Sequence, residues 1–328
     1  MSQPKISILI AARNEEKNLP ALLDSLVHLK YPIEKLEIIF GNDASTDDTE
    51  NSLNDFTHKW SHAKVVHLQE KEPKEKLKGK TRVLDSLSRL ATGDYYFFTD
   101  ADVVLPPNWI NGMLGAFEPN DGVVVGLSTM KSNALWPALQ GMEWLSALHF
   151  MHLISLLKFP STGMGNNMAV RKEAFEATGG YQEIGFSIVE DYALYKAVID
   201  KGYGFKHVFN KDILAYTRPP EHYFEQRKRW MQGAFESKTK LLLPAMIQTL
   251  IFPILCLLSF WNVTVVWGVI AYLLIFIFCQ FLYIEHKLNL RGYLKWVPVF
   301  VIYMPVSWFL QLLNYALPSK TNWKGRTY

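Results

Sequence analysis

Between Leu241 and Ile284 the chain runs for 44 residues without a charged side chain. That is about twice the ~20 residues an α-helix needs to cross a ~30 Å hydrocarbon core. A stretch this long and this apolar is out of place on the surface of a water-soluble domain and exceeds an ordinary core helix. It predicts two helical spans, about 241–260 and 263–284, turning near Ser259–Asn262. A second uncharged run, Trp296–Leu317, has the length for a third crossing, or for a re-entrant segment broken at Pro298 and Pro305. Trp261, Trp267, Trp296 and Trp308 suit interfacial anchoring. Both cysteines, Cys256 and Cys279, fall inside these stretches and read as packing residues rather than a bridge or a metal site.

Charge divides the chain at the same place. The 328 residues include 34 basic and 31 acidic side chains, and residues 241–328 hold six of the bases but only one acid, Glu285. The first 240 residues therefore carry 28 bases and 30 acids and read as one cytoplasmic domain of ordinary polarity, followed by a membrane domain at 241–328 with two to three spans. The basic balance belongs to the membrane part and argues for no nucleic-acid partner. With the first domain inside, two spans return Lys287, Arg291 and Lys295 to the inside, as the positive-inside rule favours. A third would carry Lys320, Lys324 and Arg326 outside, against that rule, so both topologies stay open. No secretory signal is read at the start: the apolar KISILIAA is short and gives way to RNEEKN, the pattern of a first strand.

Short apolar runs then alternate with amphipathic stretches. The strand-like runs are Lys5–Ala11, Leu36–Gly41, Ala63–Leu68, Tyr95–Thr99 and Val123–Gly126. Helix-like segments lie near Asn14–Leu29, Asp47–Thr57, Lys80–Ala91 and Asn108–Phe117. This rhythm predicts an α/β fold, a mostly parallel sheet flanked by helices, with its ligands at the carboxyl ends of the strands. The segment Ala134–Phe159 is apolar apart from Glu143, His149, His152 and Lys158, and reads as a helix on the membrane surface or under the core, because Glu143 sits too near its middle for a span. His149 and His152, one turn apart, have the spacing of a metal pair but no third ligand nearby, which favours plain polar-face residues.

Three polar clusters have the composition of chemistry. Thr99-Asp100-Ala101-Asp102 closes a strand-like run; on an extended backbone its two carboxylates point to one side, where a hard divalent ion could bridge them to a diphosphate. A solvated turn would look the same. Glu190-Asp191 opens the helical pattern ended by Gly202; acids complement a helix N-terminus, and a loop-to-helix junction also suits a general base. Gln226-Arg227-Lys228-Arg229-Trp230 precedes the first span, where basic residues and an indole meet lipid headgroups equally well as a diphosphate and a sugar ring. Two apparent motifs fail. Gly79-Lys80-Thr81 lacks the first P-loop glycine, that position being Lys74, and Gly163-Met164-Gly165 lacks the third dinucleotide glycine, that position being Met168.

In order along the chain stand ISILIAARNEE at 6–16, FGNDASTDDT at 40–49, GK at 79–80, TDAD at 99–102, GNNMAVRKEAFEATGGY at 165–181, VED at 189–191 and QRKRW at 226–230. Together they resemble the membrane-bound family 2 glycosyltransferases, the inverting group that includes cellulose, chitin and hyaluronan synthases and ceramide glucosyltransferase. The resemblance covers about residues 5–235, and the joint order is far more specific than any single piece.

The resemblance implies a GT-A nucleotide-diphospho-sugar transferase domain followed by C-terminal transmembrane helices. Ala11, Arg13, Glu15 and Asp43 would line the nucleoside pocket, with Lys80 near the nucleotide and Asp100 beside the diphosphate. Asp102, with Asp100, would ligate Mg2+ or Mn2+. Asp191 would be the catalytic base with Glu190 next to it, Gln226 and Arg229 would hold the diphosphate end, and Trp230 would meet the acceptor. The donor is expected to be a UDP-sugar by family habit. The large synthases carry spans before the catalytic domain as well, whereas nothing hydrophobic precedes Lys5 here. The expectation is therefore one transfer to a lipid or lipid-linked acceptor from the bilayer, the alternative being a processive polysaccharide synthase subunit with an oligomeric or membrane partner. A non-catalytic, membrane-anchored sugar-nucleotide sensor is the reading from another class; the intact Asp100, Asp102, Asp191 and Trp230 weigh against it.

Overall fold

The computed structural model describes residues 3–69, 76–130, 134–220, 222–236, 242–317, 322–323 and 326–327. Lys74, Lys240, Leu241, Lys320 and Lys324 lie outside them, and with them the expected domain boundary. Two compact units are present: Met1–Ser128 with Met151–Thr217, and Thr129–Phe150 with Arg218–Tyr328.

The first unit begins with β1 (Ile6–Ala12), α1 (Leu19–Val27), β2 (Leu36–Asp43), α2 (Thr49–Lys59), β3 (Ala63–Leu68), α3 (Gly79–Ser88), β4 (Tyr95–Phe98), β5 (Val103–Val104) and α4 (Trp109–Leu114). It continues through β6 (Asp121–Val125) to β7 (Leu127–Met130) and α5 (Leu135–Leu156), the two elements in which the chain passes between units. After α5 come β8 (Met168–Arg171), α6 (Lys172–Ala177), α7 (Gly180–Ile184), α8 (Glu190–Asp200), β9 (Gly204–His207) and β10 (Leu214–Thr217).

A seven-stranded sheet in the order β3-β2-β1-β4-β8-β6-β9 organises this unit. Strands β3, β2, β1 and β4 run parallel, β8 is antiparallel to β4 and β6, and β6 is again parallel to β9. The inner strands are buried on both faces: Ile6, Ile8, Leu9, Ile10, Ile38, Ile39, Phe40, Phe97 and Val123–Val125 are sealed from solvent. That is what a sheet covered by crossover helices requires, and it explains why these runs are continuously apolar rather than alternating. The expected strands are all present to within two residues.

The first helix departs more from expectation. It starts at Leu19 rather than near Asn14, with Pro20 in its first turn, where a missing N–H costs nothing. Asn14 has φ +52 and belongs to a loop bonded to the loop after β2. Asn14 N–H donates to Ser45 Oγ (3.1 Å), Thr46 N–H to Asn14 Oδ1 (2.9 Å), Glu15 N–H to Thr49 Oγ1 (2.7 Å) and Glu16 N–H to Asp47 Oδ2 (3.1 Å). The polar residues that read as helix are thus used to join two strand ends.

The second unit, described by itself, contains α9 (Tyr223–Glu236), α10 (Leu242–Trp261), α11 (Val263–Leu288) and α12 (Val297–Ala316), with the first part of α5. The turn between α10 and α11 is a single residue, Asn262, whose side chain accepts from the N–H groups of Thr264 (3.0 Å) and Val265 (3.3 Å) and so caps α11. Among the described residues two helices are long and apolar enough to cross a membrane, Val263–Leu288 and Leu294–Ala316; the apolar part of α10, Ala245–Trp261, is shorter. Helix α12 runs unbroken through Pro305. Phe252 meets Phe309 at 5.4 Å between ring centroids and Phe281 meets Phe300 at 5.8 Å, which joins α10 and α11 to α12.

Other residues singled out by the sequence settle differently. Cys256 and Cys279 are free and exposed rather than packed, since an apolar helix face can be turned outward toward lipid. His152 Nδ1 lies 2.7 Å from the His207 carbonyl oxygen, and the His149 ring lies tilted against Tyr283 with centroids 5.1 Å apart, so each has its own partner. In α5, Ala138, Leu139, Met142, Leu145 and Leu148 are buried, whereas Phe150, Leu153 and Leu156 are exposed.

Candidate functional site

The carboxyl ends of β1, β2 and β4 and the N-termini of α3 and α8 supply the site residues of the first unit. Helix α3 begins at Gly79, which has φ +51, a conformation natural to glycine and strained for other residues. Its first turn carries Lys80 and Arg82 and no acid. Cations at a helix N-terminus oppose the macrodipole, so their placement needs partners elsewhere.

Those partners are carboxylates from the strand ends and from α8. Lys80 Nζ lies 2.5 Å from Asp100 Oδ1 and 2.9 Å from Glu190 Oε1. Burial alone would lower the lysine pKa, but Asp100 and Glu190 override it and hold the ammonium charged well beyond its ordinary range. Arg82 Nη2 lies 3.0 Å from Asp43 Oδ1 and donates to the Gln69 carbonyl at 2.8 Å. Arg13 Nη1 donates to the Asp43 carbonyl at 2.6 Å.

Asp191, the second residue of α8, is held by the main chain. Gly165 N–H donates to its Oδ2 at 2.7 Å and Tyr192 N–H to its Oδ1 at 2.8 Å. Burial, then the negative charge of Glu190, push its pKa up from the usual 3.8 to about 6, against the opposing pull of Lys80 and the two amides. Gly165 leaves little room: a Cβ there would stand 3.2 Å from Lys80 Nζ and 3.3 Å from Asp191 Cβ, so these side chains would have to give by a few tenths of an ångström. Lys80, Asp100, Glu190 and Asp191 thus form one charged cluster.

Asp100 and Asp102 are not on an extended strand as expected. β4 ends at Phe98 and the Val103 N–H bonds back to the Asp100 carbonyl at 3.3 Å, closing a turn. Asp100 turns to Lys80, while Asp102 Oδ2 accepts from Thr217 Oγ1 at 3.3 Å. Among the described residues no three His, Cys, Asp or Glu side chains converge as a metal site. Hard carboxylate oxygens with few protein ligands nevertheless suit Mg2+ or Mn2+, ions that complete their shells with water and phosphate oxygens.

The remaining candidates divide. Ala11 sits in the β1 ladder opposite Gly41. Glu15 is buried and accepts from Asn18 Nδ2 at 2.7 Å. Gln226, Arg229 and Trp230 lie on α9 in the second unit, where Trp230 stacks on Trp144 with centroids 4.8 Å apart. Sequence reasoning missed Arg82, whose signal was a second cation in the turn after Gly79-Lys80. It also missed Thr217 and the Gly165 amide, which carry no sequence signal of their own. Of the adjacent asparagines, Asn167 is structural, accepting from Trp109 Nε1 at 2.8 Å and donating to the carbonyls of Leu127 and Ile213. Asn166 keeps a buried Oδ1 without a hydrogen-bond partner among the described residues.

Comparison with known proteins bears on the whole arrangement. The model of glycosyl transferase family 2 matches residues 7–179, and that of glycosyl transferase family group 2 matches residues 97–313. The chain belongs to glycosyl transferase family 2. It is 29% identical over 243 residues to a probable glycosyltransferase, YdaM, of Bacillus subtilis, covering 70% of this chain and 55% of that protein. It is 25% identical over 246 residues to a beta-monoglucosyldiacylglycerol synthase of a Nostoc species, covering 72% and 50%. A poly-beta-1,6-N-acetyl-D-glucosamine synthase of Staphylococcus epidermidis is 27% identical over 288 residues, covering 79% and 65%. The chain thus spans about half the length of the first two relatives. Among solved structures, a mannosyltransferase of Pyrobaculum calidifontis in complex with GDP-Man and Mn2+ superposes with a TM-score of 0.56 at 18% identity, covering 94% of this chain and 88% of that one. At that identity the likeness establishes the fold, which is GT-A-like.

Proposed function

We propose that this family member is an inverting glycosyltransferase that moves a sugar from a nucleoside-diphosphate sugar, a UDP-sugar by family habit, to a lipid or lipid-linked acceptor. The observation that carries the reading is Asp191: a carboxylate gripped by two main-chain amides, with its pKa raised to about 6, beside the Lys80, Asp100 and Glu190 cluster. A general base works best when its pKa lies near the operating pH.

The acceptor hydroxyl gives its proton to Asp191 as its oxygen attacks the anomeric carbon from the face opposite the leaving group. The new carbon–oxygen bond forms as the bond to the diphosphate oxygen breaks, and the electron pair leaves with the nucleoside diphosphate. Lys80 meets the growing charge on that group, and Asp43, with Arg82 and Arg13, forms the nucleoside end. Asp100 and Asp102 would hold Mg2+ or Mn2+, which supplies further charge stabilisation to the diphosphate when bound. Gln226 and Arg229 serve the diphosphate end and Trp230 the acceptor.

The two apolar helices of the second unit support a bilayer acceptor, as does the name of the Nostoc relative, a synthase of a glucosylated diacylglycerol. In this reading residues 1–240 are the catalytic domain on the cytoplasmic side of a plasma or inner membrane, and 241–328 the membrane domain. A polymer product is the second reading, favoured by the S. epidermidis relative, whose match covers the larger share of this chain. Purified protein in detergent, supplied in turn with each sugar nucleotide, Mn2+ and a lipid extract, tests both. Nucleotide release that is lost in Asp191→Asn, with a single labelled lipid product, is expected. A product ladder would move the reading to polymer synthesis, and release equal in wild type and Asp191→Asn would remove the catalytic reading.

A further inference from the structure

The second unit hides a charged network in its apolar interior. Glu143, near the middle of α5, is 4% exposed. Its Oε2 accepts from Tyr223 OH at 3.0 Å, Tyr303 OH at 3.2 Å and Arg227 Nη2 at 3.2 Å, and its Oε1 from Gln311 Nε2 at 3.4 Å. Gln311 Nε2 also lies within 3.0 Å of Tyr223 OH and 3.1 Å of Ser307 Oγ. Helices α5, α9 and α12 each contribute. A buried ion pair is weak evidence for stability, because an apolar filling of the same volume serves as well. What such a network provides is a fixed geometry, every member constraining the others.

Arg227 is the member that belongs to the Gln226–Trp230 segment. Its guanidinium carbon lies 4.7 Å from the Trp230 ring centroid and 5.7 Å from that of Trp144, and those two rings stack at 4.8 Å with 29° between planes. Its buried Nε has no hydrogen-bond partner among the described residues. The guanidinium is therefore oriented by its Glu143 bond and by the rings it covers. A freely placed arginine would leave the indole to rotate about two side-chain torsions.

We propose that Glu143 is a positioning residue: through Arg227 it fixes the stacked Trp144–Trp230 pair and so sets the place of the indole that the acceptor meets. This rests on the acceptor role of Trp230 proposed above. Glu143 touches no substrate in this scheme.

The test uses the full chain in detergent or nanodiscs with Glu143→Gln, nearly isosteric and lacking the charge. Arg227→Lys, which keeps the charge but loses the planar stack, serves if the first variant fails to fold. The stacked indoles give an exciton couplet in far-ultraviolet circular dichroism, identified by its loss in Trp144→Phe. Glu143→Gln is expected to weaken that couplet and to raise the acceptor KM on the order of tenfold, with donor KM and acceptor-independent nucleotide release unchanged. In a Trp230→Ala background the same substitution is expected to add nothing, because its effect runs through the indole. An intact couplet with unchanged acceptor KM overturns the proposal, as does an equal further loss in the Trp230→Ala background. If Trp230→Ala alone leaves transfer at the wild-type level, the acceptor role of Trp230 fails, and the proposal with it, even where the couplet shows that Glu143 holds the rings.

Discussion

Lys80 Nζ stands 2.5 Å from Asp100 Oδ1, although the lysine opens a helix and the aspartate follows a strand twenty residues later. The pairing joins the end of β4 to the head of α3, and Glu190, 2.9 Å from the same ammonium, adds the head of α8. One cation therefore links the proposed diphosphate side of the site to the proposed base side.

Asp191→Asn is expected to lower transfer by about 10²–10⁴-fold, the usual contribution of a general base, with little change in donor KM. Steady-state nucleotide release measures both.

The same carboxylate predicts an acid limb. Its raised pKa means that it is protonated, and unable to accept a proton, below about pH 6. Activity should fall tenfold per pH unit below that point and level off above it. Glu190→Gln removes the second cause of the raised pKa, so the limb should move to lower pH; a limb unmoved by this change would remove Glu190 as a cause.

Arg82→Ala removes the guanidinium 3.0 Å from the buried Asp43 carboxylate. Loss of a hydrogen bond to a charged group costs about 1–3 kcal/mol, and donor KM should rise with kcat less affected. Thermal unfolding and a donor titration separate the two effects.

Gly165→Ala forces a methyl group toward Lys80 and Asp191. A shift of the base by a fraction of an ångström should lower kcat by about tenfold to a hundredfold while leaving the unfolding temperature near that of the parent.

Chelation by EDTA should stop nucleotide release, with Mn2+ or Mg2+ restoring it. Asp102→Asn should raise the Mn2+ concentration needed for half-maximal activity.

Much of this was readable in advance because it is local. Mainly apolar runs such as Leu36–Gly41 specify buried parallel strands, and the observed strand differs only by extending to Asp43. The charge-free run predicted α10, α11 and the Asn262 turn. What escaped depends on partners distant in sequence. Arg82 acquires its role from Asp43, and Thr217 from Asp102, 115 residues away. Glu143 stood out as a charge in an apolar helix, but its meaning lay in Arg227, 84 residues on. The polar residues after β1 read as helix because periodicity does not register a loop-to-loop hydrogen bond.

Asp191 is oriented by peptide amides, and peptide amides are common to all twenty residues except proline. Side chains around the pocket, Gly165 apart, can therefore drift to suit new sugars without unhooking the proposed base. Diversification of donor choice and retention of the reaction step are separable in such a scaffold, so one catalytic arrangement can persist while its specificity is rewritten around it.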